Sequence, residues 1–375
     1  MPSVCIGHWR SPLVLVCTTV LAPALLAQVA VDIRGVEPIQ FPFVVDSNSP
    51  AFWRDGNLYL YSSAGEPRLN TLGPGLEHLD TKPVSLDRRD HLPMWIESLW
   101  QDDDGKVYGW YHYERSGLCP NSSLKVPEIG ALLSLDGGKS FFDLGIVLSS
   151  GETTNCNSQN GYFANGHGDF SVILDRQREY FYLLFGAYGG DVSGQGIAIA
   201  RMPFANRSNP VGALRKFYRD EWLEPGLGGR VTPVFPATVG WQEANTDAFW
   251  GPSIHWNTYL RRYVVLMNRS CCSPRWPQEG VYITMNENLA DAGTWTTPVQ
   301  IAEYGDWYPW VMSMDNEQPS SDAGQQVRFF LRGDSDREIV FRLDAADPPA
   351  WEVDPAIEPG RRLLIPPVSV PAPVQ

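Results

Sequence analysis

Five stretches of this chain repeat one pattern, and that repeat restricts the fold more than any single residue does. "DSNSPAFWRDGNLYLYSS" begins at Asp46 and "HLPMWIESLWQDDDGKVYGWYHYE" at His91. "HGDFSVILDRQREYFYLLFG" begins at His167 and "FWGPSIHWNTYLRRYVVLMNR" at Phe249. The looser "WYPWVMSMDNEQPSSDAGQQVRFFLRGD" begins at Trp307. Each unit opens on turn residues, runs through a short apolar strand, turns on Asp, Asn or Gly, and returns as a strand rich in Tyr, Val and Leu. That is a β-hairpin. Further strand-like runs follow several copies, such as "IGALLSLDGGKSFFDLGIVL" after the second and "GIAIARMPF" after the third. Four strands per unit, five times over, predict an all-β fold: a five-bladed β-propeller of four-stranded antiparallel blades. A sandwich of unrelated hairpins is the rival arrangement. Helical signals are scarce, and "SNPVGALRKFYRDEWL" (208–223) is the one stretch that could hold a short helix.

In a propeller the innermost strand of each blade starts near the axis, at one mouth. Residues far apart in sequence converge there. The blade starts nominate Asp46 and Asn48, His91 and Trp95, His167 and Asp169, Trp250, and Asp306 or Trp310. The stretch "SLDGGKSF" (134–141) matches the Asp-box pattern of sialidase-like propellers. Its acid, Asp136, should bond turn amides while Phe141 packs beneath.

The N-terminus reads as an export signal covering residues 1–27. A weakly basic start at His8 and Arg10 precedes "PLVLVCTTVLAPALLA", with small residues following. Pro23 breaks the apolar run, so no membrane span is expected once the signal is removed. The expected destination is secreted or periplasmic. The propeller should occupy 40–345, with 346–375 a C-terminal extension whose Pro-rich end is expected to be disordered. Four cysteines remain past the signal. Cys119 and Cys156 both lie in loop-like sequence and are the first choice of pair. Cys271 and Cys272 could bridge one another or pair elsewhere. The net charge of −14 carries no basic block, which excludes nucleic acid and anionic membranes as expected partners.

The repeat and its acids resemble the five-bladed propeller glycoside hydrolases, the superfamily of arabinanases, β-xylosidases and invertases. The resemblance covers roughly residues 40–345 and is one of repeated pattern. It implies an oligo- or polysaccharide substrate and a central pocket. In those enzymes an Asp opening the first blade is base or nucleophile, and Asp46 matches it by position. An Asp opening the third blade tunes the acid and helps hold the sugar, and Asp169 in "GHGDFSVILD" matches that. A Glu in "EGP" at the fourth blade is the usual general acid, and here the chain departs from the pattern. The corresponding stretch is "WGP", with Trp250 in the acid's place.

An indole donates no useful proton, so the acid must come from elsewhere. Glu97 in "MWIESLW" is attractive because Trp95, Ile96 and Trp100 could desolvate it and raise its pKa. Asp247, His91, His167 and His255 are further candidates. The expected site is then Asp46, Asp169 and Glu97 for chemistry, with Asn48, His91, Trp95, His167, Trp250 and Trp310 for the sugar. No cofactor is called for, and a structural calcium is left open. The alternative is a non-catalytic propeller that binds glycan or protein and has lost its acid. A sialidase ranks last, because the blade starts show no arginine cluster for a substrate carboxylate.

Overall fold

The computed structural model describes residues 29–274, 277–303, 305–313, 321–343 and 362–365. The export signal and the Pro-rich end lie outside the described residues. Within them the chain is a five-bladed β-propeller. Blade one comprises Ala51–Arg54, Asn57–Ser63, Pro67–Leu72 and His78–Pro83. Blade two runs Met94–Gln101, Val107–Arg115, Val126–Ser134 and Ser140–Leu148, with Ser85–Leu86 added in parallel on its outer strand. Blade three runs His167–Leu174, Tyr180–Ala187, Gly196–Pro203 and Arg215–Tyr218, and gains a fifth strand in Glu221–Pro225. Blade four is Ala248–Asn257, Arg262–Ser270, Gln278–Asn286 and Val299–Glu303.

Blade five closes the ring with chain from both ends. Pro309–Met312, Gln326–Leu331 and Asp334–Leu343 take Val29–Gln40 as their fourth strand, and Arg362–Ile365 pairs outside that. The sheet therefore includes residues on both sides of the expected 40–345 span. Closure of this kind leaves no long free edge between first and last blades.

The blades pack through five apolar clusters, one per interface. Phe52, Met94 and Ile96 join blades one and two, and Trp110, Phe170 and Phe181 join two and three. Ile173, Leu184 and Val265 join three and four, Val264, Val327 and Phe341 join four and five, and Leu60, Trp310 and Phe330 join five and one. The inner strands surround an axial cavity of about 70 Å³ lined by a serine at each inner strand, Ser49, Ser98, Ser171, Ser253 and Ser313, together with Ser321. Two of these hydroxyls satisfy backbone donors on the next blade's inner edge. Ser98 Oγ accepts from Val172 N at 2.8 Å, and Ser171 Oγ accepts from Ile254 N at 3.1 Å. An inner strand has no further strand to pair with, so side chains take up its unpaired groups.

The candidate helix at 208–223 is not helical. Pro210 and Gly212 interrupt it, and Arg219 and Asp220 take φ of 48° and 65° to make a tight hairpin turn between Arg215–Tyr218 and Glu221–Pro225. At "SLDGGKSF", Asp136 Oδ1 accepts from the backbone N–H of Lys139 and Ser140, at 3.1 and 3.0 Å, while Phe141 is buried against Tyr61.

Cys119 and Cys156 are disulfide-bonded, and so are Cys271 and Cys272. The first bond closes 37 residues and ties the loop after the strand ending at Arg115 to the segment before His167. Chain-entropy arguments give such a loop about 3–4 kcal/mol of stabilisation. A Cys119→Ser/Cys156→Ser double variant should lose stability of that order in denaturant melts. Unchanged midpoints would show that the loop is held by its other contacts alone.

Candidate active site

At one mouth of the axis lies a pocket of about 100 Å³. A single water needs roughly 10–15 Å³ on this measure, so the space suits a group of roughly seven to ten heavy atoms, about one sugar ring. Six aromatic side chains wall it: Trp95, Tyr162, Phe163, Trp250, Trp307 and Tyr308. Three carboxylates and a histidine reach it, namely Asp46, Glu114, Asp169 and His112.

Irregular backbone aims these groups. Inner strands of blades two, three and four each break register at the mouth, between Ile96 and Ser98, Gly168 and Phe170, and Trp250 and Ser253. Bulges re-aim side chains. Residues two apart on a regular strand share a face, so His167 and Asp169 should point together. The bulge separates them. Asp169 takes φ of 41°, in the left-handed region, and turns its carboxylate to the pocket. In blade five Tyr308 does the same with φ of 55°, just before its strand begins.

His112 comes from the second strand of blade two and reaches in beneath the bulges. Its Nδ1 lies 3.2 Å from Glu97 Oε1 and 4.0 Å from Asp169 Oδ1, and the backbone N–H of Asp169 donates to it at 3.3 Å. Glu97 is buried, and its Oε2 accepts from Phe170 N–H at 2.7 Å. The Tyr188 hydroxyl donates to Asp169 Oδ2. Room for the imidazole depends on Gly168. A Cβ there would fall 2.8 Å from His112 Cε1 and 2.9 Å from Nε2.

The electrostatics follow from burial and crowding. Burial pushes the Asp169 carboxyl up to about 7, with His112 pulling down and Glu97 pushing further up. Burial pulls His112 down, but the hydrogen bond and charge of Glu97, with Asp169 and Glu114, outweigh it and raise His112 to about 9. Burial also raises Asp46 above the ordinary carboxylate range, opposed by Arg332 and reinforced by Glu114.

Of the residues nominated from sequence, Asp46, Asp169, Trp95 and Trp250 line the pocket. Glu97 stands one layer behind, between His112 and the axial cavity. Asn48 is buried and braces the ring, its Nδ2 donating to Phe170 O and Pro252 O at 2.8 and 3.0 Å. His91 is displaced from the mouth. It lies on the radial crossover that starts at the outer strand of blade two, where its Nδ1 meets Asp143 Oδ2 at 2.6 Å. Trp310 stacks on Phe330 and faces the axial cavity, because the mouth-facing aromatics of blade five precede its strand. Asp247 is locked by Arg269 at 2.9 and 3.2 Å, and His255 is fully buried with its pKa pulled to about 3.

His167 points away from the pocket into blade three, where its Nε2 lies 3.1 Å from Lys216 Nζ. Lys216 is fully buried and also donates to Ser149 O and Gly229 O, both at 2.8 Å. Burial pulls its pKa from 10.5 to about 7. The unfolded chain thus binds more protons than the folded one between about pH 7 and 10.5, so this group's contribution to stability rises with pH there. A Lys216→Met variant should show a flatter stability curve than the wild type between pH 7 and 9.5 in denaturant melts. Parallel curves would contradict the assignment.

Among the described residues, two clusters carry metal-ligand residue types. Glu97, His112 and Asp169 bring donor atoms within 4.8 Å of one another, as do Asp247, Cys271 and Cys272. The first is occupied by its own hydrogen bonds, with Phe170 N–H and Tyr188 O–H on its carboxylates. In the second the sulfurs bond each other and Asp247 pairs with Arg269. Neither donor set fits an ion without breaking these contacts.

His112 and Glu114 escape a reading of blade starts because they sit on a second strand. The signal was present in "WYHYE", where a His and a Glu two apart share one face of a predicted strand.

No protein-family profile matches the chain, and no curated protein matches it. Solved structures do. A structure titled "Glycoside hydrolase" superposes with a TM-score of 0.50 at 12% identity, covering 84% of this chain and 95% of that one. A thermostable family-43 glycoside hydrolase gives 0.47 at 12% identity over 89% and 98%. An α-L-arabinofuranosidase from Lactobacillus brevis gives 0.47 at 15% identity over 81% and 92%. At such identities the likeness is one of architecture: this chain shares the propeller on which a solved glycoside hydrolase is built.

Proposed function

We propose that the chain hydrolyses a glycosidic bond at a neutral sugar held in the mouth pocket, with Asp46 as the carboxylate that activates water or attacks the anomeric carbon. Convergence is the observation that carries this reading. One sugar-sized pocket collects a half-buried carboxylate from blade one, a buried one from blade three, and His112 and Glu114 from blade two, with Glu97 behind the histidine. Glycoside hydrolysis needs a proton donor and a base or nucleophile across one bond. The aromatic walls suit the apolar faces of a sugar ring. The acids make an anionic substrate unfavourable, which argues for a neutral glycan. The likeness of fold to a glycoside hydrolase supports the same class. We also place the protein outside the cytoplasm, on the N-terminal apolar run and the Cys119–Cys156 bond. No helix among the described residues is long and apolar enough to cross a membrane.

The test is release of the aglycone from aryl glycosides of L-arabinofuranose, D-xylose and D-galactose, followed by oligosaccharides of any sugar accepted. A second reading, glycan binding without turnover, draws on Trp250 in the acid's place. Saturable binding of oligosaccharides with no hydrolysis across the panel would favour it over the first.

A further inference from the structure

The pocket has carboxylates in plenty but lacks an obvious proton donor. Trp250 occupies the fourth-blade position, edge-on to Trp307 and Tyr308 at 5.6 Å from each. Asp169 Oδ2 accepts the Tyr188 hydroxyl, and its Oδ1 faces His112. Among the buried polar atoms on the pocket wall, His112 Nε2 has no hydrogen-bond partner among the described residues, and unlike the indole N–H groups of that wall it can give up a proton. The side chain carrying it is 5% exposed, and the nearest charge is Glu114 Oε1 at 4.0 Å. A buried polar atom without a partner is destabilising, so its retention asks for a reason.

We propose that His112 is the general acid, giving the Nε2 proton to the departing glycosidic oxygen, and that Glu97 is the residue that positions it. This rests on the hydrolase reading above. In the imidazolium the Nδ1 proton is donated to Glu97 Oε1 at 3.2 Å, in place of the Asp169 backbone N–H that the neutral ring accepts there at 3.3 Å, and the exchangeable proton is the one on Nε2. The ring is held between Trp95 and Phe163, with centroids 5.7 and 6.2 Å away, and Gly168 leaves it room. The charged groups facing it are Glu97, Asp169 and Glu114, all acids, which favour the imidazolium.

The step balances. The C1–O bond breaks with its electron pair going to oxygen. The Nε2–H bond breaks as the new O–H bond forms, leaving neutral imidazole whose Nδ1–H is donated to Glu97. Water supplies the hydroxyl at C1 and loses a proton to a carboxylate, and water that enters as product leaves returns a proton from that carboxylate to Nε2. Whether Asp46 activates that water or first attacks C1, the proton count at the leaving oxygen is the same.

The experiment compares wild type, His112→Gln, Glu114→Gln and Glu97→Gln on methyl and 2,4-dinitrophenyl glycosides of the same sugar. Dinitrophenolate leaves without protonation, so it reports the rest of the machinery and the fold. His112→Gln should lose about 10²–10⁴-fold on the methyl glycoside and roughly tenfold or less on the dinitrophenyl one. Glu97→Gln should move the basic limb of the wild-type kcat/KM profile to lower pH, which a merely structural role would not do. Equal losses on both substrates by His112→Gln would overturn the proposal. So would a leaving-group-selective loss in Glu114→Gln instead, which would name Glu114 as donor. A wild type that cleaves neither class would remove the hydrolase reading and this one with it.

Discussion

Asp46→Asn should reduce turnover by about 10³-fold or more while leaving fold and sugar binding intact. Asn keeps the shape of the side chain and removes only its capacity to accept a proton or attack carbon. Asp46 is half-buried at the mouth of blade one, so the exchange leaves no cavity. A structural acid in that position would behave differently. Burial raises the Asp46 carboxyl, and Glu114 raises it further against the pull of Arg332. A carboxylate held above its ordinary range is worth less to stability at neutral pH than an exposed one. Its loss should therefore be neutral or mildly stabilising in a melt, while the rate collapses. The same shift places the acid limb of kcat/KM above the pKa of an ordinary Asp, because only the ionised form acts as base or nucleophile. Rates and binding isotherms on the best aryl glycoside check both halves. Undiminished turnover in Asp46→Asn would remove Asp46 from the chemistry.

The reason Asp46 could be named from sequence is topological. Five similar hairpins fix the number of blades, and the blade starts fix which residues share a mouth. The turn signals before Ala51 and His167 are strong, so the sequence puts Asp46 and Asp169 at the mouth, where both line the pocket. What the repeat could not convey was phase. Bulges at Glu97, Asp169 and Gly251–Pro252 shift each inner strand by a residue, and nothing in local hydrophobicity marks a bulge before its partner strand is known. That is why His167 and Asp169 were expected to act together and instead point to a buried lysine and to the pocket. His91 was misplaced for a similar reason. The short pairing of Ser85–Leu86 with the outer strand of blade two anchors the crossover at the periphery, a long-range contact that no window of sequence contains. His112 was hidden because a second strand normally faces neighbouring blades. Here Gly168 of "GHGDF" leaves the room in blade three that lets the ring reach the mouth. Closure of blade five by Val29–Gln40 also joins residues some 300 apart, visible only once the ring is assembled.

Asp169→Asn should have opposite effects on stability and activity. In the folded chain burial holds this carboxyl near 7, and an unfolded Asp titrates at 3.8. Between those values the folded state binds the extra proton, so this group favours folding most at low pH, and the advantage is lost as pH rises through 7. Above pH 7 the native state carries a buried charge that the unfolded chain would keep in water. Asn mimics the protonated acid in shape and charge. It should raise stability at pH 8 on the order of a few kcal/mol, with a smaller gain at pH 5. Activity should fall by about 10²-fold or more. The lost charge is one of those sustaining the His112 imidazolium, so the basic limb of the rate profile should also move to lower pH. A site that keeps a destabilising carboxylate is trading stability for function. If Asp169→Asn were less stable at pH 8 and fully active, Asp169 would be a structural residue of the bulge, and its left-handed backbone would be the feature to explain instead.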